Sequence, residues 1–359
     1  MKIFLAQQNY LIGDFENNTE KIIKAIREAK SQNGDLIVFS ELSICGYPPR
    51  DFLYFNNFIE KSLLCIERIK TESSGIAVLV GAPQKNPSVN GKRLYNAAYF
   101  LEDGEIKHVV QKPCLPTYDV FDENRYFEPA SAWEIINFKD KKLAVTICED
   151  IWNLGENPLY TVCPMDQLIS KSPDFMINLS ASPFDYTHSA DRKAILKSNV
   201  QKYHVPVFYC NAVGSQTEIV FDGNSMVFDV NANLCGSLKS FEEDLKSFVL
   251  QNDGTINEGV IEANTEISNQ QLNPSQLHAS LNIDSIYKAL VLGIKDYFQK
   301  MGFQKAILGS SGGIDSAVTL ALAVEALGED NVLAVLMPSQ FSSNHSVEDA
   351  VQLSKDRKS

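Results

Sequence analysis

The sequence predicts an α/β protein of two or three domains. Its 359 residues exceed the roughly 150 of a typical domain, so the chain can bury more than one core. Apolar residues make up 44% and charged residues 21%, a balance typical of folded rather than disordered chains. Short β-rich apolar runs alternate with helical patterns over residues 1–235, which indicates either packed sheets or a sheet covered by helices.

The first part of the chain contains eight apolar runs whose composition favours strands. These runs are 2–8, 35–41, 76–82, 97–103, 142–148, 174–180, 205–213 and 225–230. A helix is predicted over 17–34, where apolar residues recur at helical spacing and Asn33-Gly34 ends the pattern. A second helix is predicted over 191–204.

Charge and cysteine content exclude several classes of protein. With 32 basic and 45 acidic residues the net charge is −13, which argues against a nucleic-acid backbone as a general partner. No apolar stretch approaches the roughly 18 residues of a membrane span. The N-terminus is predicted to be a strand, not a signal peptide. The seven cysteines are scattered and odd in number, so we expect reduced thiols and a cytoplasmic protein.

The chain changes character after residue 250. Residues 251–280 are polar, rich in Asn, Gln and Ser, and lack a sustained period, so we predict a linker between a first domain, 1–250, and a second, 281–359. In the second domain the patterns predict a helix, a strand, a loop, a helix, a strand and a last helix. Their ranges are 283–302, 304–309, 310–316, 317–328, 331–339 and 346–359.

The loop between the first strand and the second helix of this domain predicts a phosphate site. It has the sequence Gly309-Ser310-Ser311-Gly312-Gly313-Ile314-Asp315-Ser316. The glycine pair lets the backbone approach an anion, the helix N-terminus supplies unpaired N–H groups, and the serine hydroxyls add donors. Asp315 can hold a cation or fix the loop. The pattern is neither a Walker loop nor a dinucleotide fingerprint, and a glycine turn with a serine cap is the alternative.

Three polar residues stand where predicted strands end. Glu41 ends DLIVFSE, Lys112 follows HVVQ, and Cys148 ends KLAVTIC. Taken singly, such a cysteine is more often a small buried apolar residue, and the two charges more often surface groups. Together they suit nucleophilic catalysis: Glu41 takes the thiol proton, and Lys112 favours the thiolate and stabilises an oxyanion. No Cys-His pair is evident, because the candidate histidines are isolated: His108, His188 and His204.

Both sites resemble known families. The loop resembles the Ser-Gly-Gly-x-Asp-Ser signature of the PP-loop ATP pyrophosphatases, and the following MPSQFSSNHSVEDA is similar to NAD synthetases, in which the backbone near Leu336 and Met337 would contact adenine. The segments SELSICGYPPRDFL, QKPCLPTYDVFDENRYFEP and ICEDIWNLG resemble the nitrilase-type glutaminase domain of glutamine-dependent NAD synthetases. The resemblance implies an αββα nitrilase-like sandwich followed by the start of a doubly wound PP-loop domain.

The resemblance also implies roles for single residues. Glu41 would be the base, Lys112 the oxyanion stabiliser and Cys148 the nucleophile. Glutamine would be bound by residues that follow the triad members in the chain: Tyr118, Glu123, Glu149, Ser182 and His188. Glu123 would support Lys112 or the substrate amine.

His188 departs from the family, which commonly has lysine at that position. A histidine there is largely neutral at pH 7, so Arg192 is an alternative partner for the substrate carboxylate, and a surface salt bridge is its other interpretation. ATP would be bound by the eight loop residues from Gly309 to Ser316.

The implied reaction is glutamine-dependent NAD synthesis. Glutamine would be hydrolysed through a thioester, and the ammonia would amidate adenylylated deamido-NAD, giving NAD, AMP, pyrophosphate and glutamate. The implied partners are glutamine, ATP, Mg²⁺ and deamido-NAD, with a homo-oligomer and no nucleic acid or membrane. Residues 281–359 offer about two strands, so we expect a fragment or natural truncation that makes no NAD alone. A stand-alone nitrilase-type amidase and a non-catalytic nucleotide-binding module remain alternatives.

Overall fold

The structure is a computed structural model that describes residues 1–88, 90–154, 159–186, 188–258, 274–338 and 343–357. The strands in these ranges are β1 Lys2–Gln7, β2 Leu36–Phe39, β3 Ala77–Lys85, β4 Leu94–Glu102, β5 Glu105–Gln111, β6 Ile135–Phe138, β7 Lys141–Ile147, β8 Phe175–Ser180, β9 Val207–Asn211, β10 Val213–Gln216, β11 Ile219–Asp222, β12 Met226–Phe228, β13 Leu234–Ser237, β14 Asp244–Leu250, β15 Ile256–Glu258, β16 Ala306–Gly309 and β17 Val332–Val335. The helices are α1 Phe15–Ser31, α2 Asn56–Glu72, α3 Glu123–Tyr126, α4 Pro164–Leu168, α5 His188–Tyr203, α6 Pro274–Met301, α7 Ile314–Leu327 and α8 Asn344–Arg357.

The chain divides into two compact units. The first consists of residues 1–214 and 221–268, and the second of residues 215–220 and 269–359. Residues 259–273 lie outside the described part of the chain. None of the helices in the described ranges is both long and apolar enough to cross a membrane.

Two sheets form the centre of the first unit. One has seven strands in the order β15-β14-β1-β2-β3-β4-β5, and the other has six in the order β13-β12-β9-β8-β7-β6. Buried side chains from both sheets, such as Leu5 and Val38 of the first and Val145 and Phe208 of the second, belong to one core. The two sheets therefore pack face to face, as aligned sheets with apolar inner faces do.

Helices cover the outer faces of both sheets, so strands such as β1 are buried on both sides. The alternate residues of β1, Phe4 and Ala6, pack with Ile22 and Ile66 from α1 and α2. On the other sheet, α4 and α5 supply buried residues to a similar layer. The αββα sandwich expected from the sequence is confirmed.

Several elements differ from the sequence prediction. Helix α2 was not predicted, although Phe58, Ile59, Cys65, Ile66 and Ile69 form its buried stripe. One strand and the start of one helix lie within the range 251–280 that the sequence predicted as a linker. A turn closed by the Gln251 N–H donating to the Thr255 carbonyl returns the chain to β15, which pairs with β14. At its other end, α6 already begins at Pro274. The division into domains stays a prediction.

The second unit is built around two parallel strands. β16 pairs with β17 from Ala306 opposite Val332 to Gly309 opposite Val335, and Leu320, Ala323 and Val332 form its small core. Parallel strands with helical connections agree with the start of a doubly wound sheet. Helix α7 begins at Ile314, three residues earlier than predicted, because Gly313 already accepts the first helical bond, from the Ala317 N–H.

Candidate active site

The three predicted catalytic residues lie just beyond strand ends of the two packed sheets. Glu41 follows β2 by two residues, Lys112 directly follows β5, and Cys148 directly follows β7. All three side chains are buried: Glu41 is 1%, Lys112 0% and Cys148 4% exposed. A hydrogen bond of 2.7 Å joins Lys112 Nζ to Glu41 Oε1, and both charges are near enough to shift the pKa of the Cys148 thiol.

The Lys112 ammonium is held between two carboxylates. Its Nζ donates to Glu41 Oε1 at 2.7 Å and to Glu123 Oε1 and Oε2 at 2.8 and 2.9 Å. Burial opposes the charge of Lys112, but Glu123 and Glu41 raise its pKa well above the ordinary value. Burial, with a contribution from Glu41, raises the pKa of Glu123 to about 7, and Lys112 offsets part of this. The lysine is therefore a fixed cation, and it lies beside an acid, Glu123, that ionises less readily than a free glutamate.

Two further residues, which the sequence analysis missed, fix these carboxylates. Asn96 Nδ2 donates to Glu41 Oε1 at 2.7 Å and to Glu123 Oε2 at 3.1 Å, and the Tyr47 hydroxyl donates to Glu123 Oε1 at 2.8 Å. Asn96 is a fully buried polar residue within the mostly apolar strand β4. A polar residue inside a buried strand is the signal that could have identified it.

Glu41 is also held by its own backbone surroundings. Its Oε2 accepts a hydrogen bond from the Ala181 N–H at 3.1 Å. Gly81 of β3 lies against the segment that carries Glu41: a Cβ at position 81 would lie 2.3 Å from the Leu42 nitrogen and 2.8 Å from the Ser40 oxygen. Only glycine permits this close approach, so residue 81 helps set the position of the carboxylate.

Cys148 opens a short 3-10 turn, Cys148–Ile151, with φ at +43°. This left-handed conformation is unfavourable for a residue with a side chain and is found where surrounding structure holds it. Burial and the Glu41 charge raise the pKa of the thiol well above its ordinary value, and Lys112 opposes them only in part. Lys112 thus favours the thiolate, as the sequence suggested, but burial and Glu41 outweigh it and favour the neutral thiol.

Two of the predicted glutamine contacts are joined to each other. The Tyr118 hydroxyl donates to the Glu149 carboxylate, at 3.0 Å to Oε1 and 2.9 Å to Oε2. Glu149 is buried while Tyr118 is 44% exposed, and burial raises the pKa of Glu149. This pair places an acceptor group next to Cys148, within reach of the surface.

The segment around Ser182 forms a second buried network. The Ser182 N–H donates to Asn211 Oδ1 at 2.9 Å. Arg192 is fully buried and pairs with Asp222 at 3.0 and 3.1 Å, with longer contacts to Ser182. Arg192 is therefore not the surface salt bridge considered from the sequence. The His188 side chain lies outside the described residues, although α5 begins there.

The glycine-rich loop of the second unit connects β16 to α7. Gly312 has φ at +80°, and a Cβ there would lie 2.0 Å from the Ser346 oxygen, so this position requires glycine. The Ser311 and Ser316 hydroxyls bond within the loop: Gly313 N–H donates to Ser311 Oγ, and Ser316 Oγ accepts from Ser311 N–H, both at 3.2 Å.

The remaining loop residues differ in their exposure. The Ser310 hydroxyl is buried and has no hydrogen-bond partner in the described part of the chain. Ile314 is 75% exposed, and Asp315 lies in the first turn of α7. In the described ranges, no group of three or more acidic, histidine or cysteine side chains is arranged to hold a metal ion.

Two family models match the chain, one over each of its two parts. Residues 2–253 match the family model for carbon–nitrogen hydrolases. The chain belongs to the carbon–nitrogen hydrolase family. Residues 286–358 match the model for NAD synthase, so a carbon–nitrogen hydrolase domain is followed by an NAD synthase segment, in the order that the sequence predicted.

Relatives of this carbon–nitrogen hydrolase are longer than the chain. It is 39% identical to the glutamine-dependent NAD⁺ synthetase of Synechocystis sp., covering 99% of this chain and 62% of the relative. For that of Thermotoga maritima the identity is 36%, with 99% and 63% covered. The chain thus spans about three-fifths of these relatives.

Solved structures show the same likeness. The chain resembles the glutamine-dependent NAD⁺ synthetase of Acinetobacter baumannii in complex with ADP, with a TM-score of 0.86, 34% identity, and 99% of this chain and 63% of that chain covered. An amidase from Nesterenkonia sp. superposes with a TM-score of 0.60 at 20% identity, covering 70% of this chain and 94% of the amidase. This second likeness shows the fold alone.

Proposed function

We propose that the first unit hydrolyses glutamine and that the ammonia serves NAD synthesis. The observation that carries this proposal is the buried Lys112 ammonium held by Glu41 and Glu123 next to the Cys148 thiol. A buried lysine and an acid beside a strained cysteine provide a base, a nucleophile and a charge stabiliser at one point. The similarity to glutamine-dependent NAD⁺ synthetases supports glutamine as the substrate.

Acylation begins with a neutral thiol. Glu41 accepts the Cys148 proton as sulfur attacks the side-chain carbonyl carbon of glutamine, and the carbonyl oxygen takes the negative charge. Lys112 stabilises this oxyanion, together with a backbone N–H after Cys148. Glu41 then returns the proton to the leaving nitrogen, the carbon–nitrogen bond breaks, and ammonia departs from a glutamyl thioester.

Water completes the cycle. Glu41 accepts a proton from a water molecule while the water oxygen attacks the thioester carbonyl carbon. The Cys148 sulfur then leaves and takes that proton back from Glu41, and glutamate is released. Glu123 does not need to exchange a proton: its contacts with Lys112, Tyr47 and Asn96 hold the lysine in place. A fixed cation stabilises the developing charge without reorganising in each step.

We propose that glutamine is recognised by Tyr118, Glu149 and Ser182. The Tyr118–Glu149 pair lies next to the nucleophile, where a carboxylate suits the substrate ammonium. Since Arg192 pairs with Asp222, we do not assign the substrate carboxylate to it, and His188 stays a predicted contact. Glu123 acts through Lys112 in this account.

For the second unit we propose binding of ATP, with Mg²⁺ arriving on the nucleotide, by the loop from Gly309 to Ser316. Mg²⁺ takes several ligands from phosphate oxygens and water, which fits a loop that offers Asp315 and hydroxyls instead of a dedicated cluster. The buried Ser310 hydroxyl, which has no hydrogen-bond partner among the described residues, supports a ligand at this loop. The whole protein would then convert deamido-NAD, ATP and ammonia to NAD, AMP and pyrophosphate. A homo-oligomer and a cytoplasmic location stay predictions.

The glutaminase proposal is tested with the purified chain and its Cys148→Ala variant. We expect glutamate and ammonia to form from glutamine, and turnover to fall by several orders of magnitude in the variant, because catalytic groups of this kind act as a unit. Cys235→Ala, a half-buried cysteine on β13, is the matched control. Wild-type turnover in folded Cys148→Ala contradicts the proposal.

The substrate class is tested with a short aliphatic amide. A chain that hydrolyses glutamine and leaves the aliphatic amide intact agrees with the Tyr118–Glu149 site. Equal turnover of both would favour the stand-alone amidase. ATP–pyrophosphate exchange tests the second unit separately, so a negative result there leaves the glutaminase proposal standing.

A further inference from the structure

We propose that Asp150 is a positioning residue that holds the Cys148 turn and the Lys112 segment in register. Its carboxylate is bonded to the backbone of both. Oδ2 accepts from the Ile147 N–H at 2.8 Å, and Ile147 immediately precedes the nucleophile. Oδ1 accepts from the Cys114 N–H at 3.2 Å, two residues beyond Lys112. One buried side chain, 2% exposed, thus joins two parts of the chain that lie far apart in sequence.

Both amides need this partner. Cys114 and its amide lie in an irregular segment after β5, buried away from water, where an unpaired N–H costs stability. Ile147 is the last residue of β7, and the turn begins immediately after it. An acidic side chain three residues into a turn that bonds back to the preceding N–H closes that turn, as it does at helix starts.

The hydrogen bond from the Ile147 N–H to Asp150 can hold the strained backbone conformation of Cys148. With φ at +43°, Cys148 occupies a conformation that relaxes unless neighbouring groups oppose it. The Asp150 bond spans the strained residue, from Ile147 before it to the side chain two residues after it. If the bond is lost, the turn can relax and the sulfur moves relative to Lys112.

The charges around Asp150 agree with a role in positioning and not in proton transfer. Burial raises its pKa to about 7, whereas the two backbone bonds and the Lys112 charge lower it, and Glu41 raises it. Both its oxygens accept backbone N–H groups, so the carboxylate is engaged in holding the backbone. Asp150 therefore acts through Cys148 and Lys112.

The test compares Asp150→Asn with Asp174→Asn, and it rests on the proposed glutaminase activity. The asparagine at position 150 keeps one acceptor and sets an NH₂ donor against the other backbone N–H. Asp174 is the matched control, because its Oδ2 accepts the Lys142 N–H at 2.7 Å near the opposite end of β7. Active sites are counted by alkylation of Cys148 that glutamine blocks, and kcat is expressed per counted site.

We expect Asp150→Asn to lower kcat per site by about 100-fold, the effect of roughly 1 Å of misplacement, with KM for glutamine changed less than about threefold. Asp174→Asn should keep wild-type kcat. If Asp150→Asn does not fold, Asp150→Ser, which retains one oxygen without the opposing NH₂, takes its place with the same expected loss. A folded variant with wild-type kcat per site overturns the inference. A wild-type chain without glutaminase activity would instead contradict the proposed function.

Discussion

Substituting Gly81 by alanine should damage the active site more than the fold. Gly81 lies within β3, and the segment from Ser40 to Leu42 passes directly over it. The added methyl group would lie 2.3 Å from the Leu42 nitrogen and 2.9 Å from the Glu41 carbonyl carbon. Ordinary contacts of a Cβ begin at 3.4 Å, so the backbone beside Glu41 must move by about 1 Å.

The displacement acts directly on catalysis. Glu41 is bonded to Lys112 at 2.7 Å and to the Ala181 N–H at 3.1 Å, and a 1 Å shift breaks or stretches both contacts. Misplacement of that size costs about 100-fold in rate, while overpacking of a buried site costs about 1–3 kcal/mol of stability. We therefore expect kcat for glutamine hydrolysis to fall about 100-fold in a variant that still folds.

The assay is steady-state glutamine hydrolysis by Gly81→Ala, with Gly34→Ala as its control. A Cβ at Gly34 would lie 2.8 Å from the Phe4 ring and 2.9 Å from the Ala29 oxygen, so this variant is overpacked at the opposite end of β2. It should lose stability, measured by urea unfolding, and keep kcat. A folded Gly81→Ala variant with kcat within threefold of wild type would refute the reasoning.

Further predictions concern the Lys112 cluster. Lys112→Met should lower kcat by at least about 100-fold, because the oxyanion loses its cationic partner. The same change should lower the free energy of unfolding in urea by about 3 kcal/mol, since Glu41 and Glu123 lose their buried counter-charge. An unchanged kcat would contradict this prediction. The pKa of Glu123 is about 7, against an ordinary 4.5, so the folded state holds this proton more tightly than the unfolded state does. Protonation of Glu123 therefore stabilises the fold, and this contribution is complete below pH 4.5 and is lost as pH rises through 7. The unfolding free energy of wild type minus that of Glu123→Gln should therefore fall by about 2 kcal/mol between pH 5.5 and 8, and a flat difference would show that the pKa is not raised.

Much of the fold could be predicted because its strands and helices have simple periods. Runs such as residues 35–41 and 142–148 are apolar enough to be strands on their own, and the polar residue at the end of each pointed to the site. Strand β14 was missed because its first half is polar: Asp244 and Lys246 stand where an apolar pattern is expected. Its strand conformation is fixed instead by pairing with β1 on one side and with β15 on the other. Tertiary contacts override composition in such strands.

The rest of the site depends on distances that sequence spacing does not contain. Asn96 bonds to Glu41 across 55 residues, and Asp150 bonds to the Cys114 N–H across 36. Arginine is usually a surface residue, and the buried Arg192 pairs with Asp222, 30 residues away in the sequence. The raised pKa of Cys148 likewise depends on burial together with the Glu41 charge, and Glu41 lies 107 residues away in the sequence.

The central claim, that glutamine is hydrolysed through a thioester on Cys148, is tested most directly by partitioning with hydroxylamine. Hydroxylamine intercepts a thioester after ammonia has left, so hydroxylamine changes the product without taking part in acylation. When acylation limits turnover, the account predicts that γ-glutamyl hydroxamate forms at the expense of glutamate while ammonia release keeps its rate, and that Cys148→Ala forms neither product. Ammonia release with no hydroxamate at saturating hydroxylamine, or hydroxamate formation by folded Cys148→Ala at the wild-type rate, would contradict it.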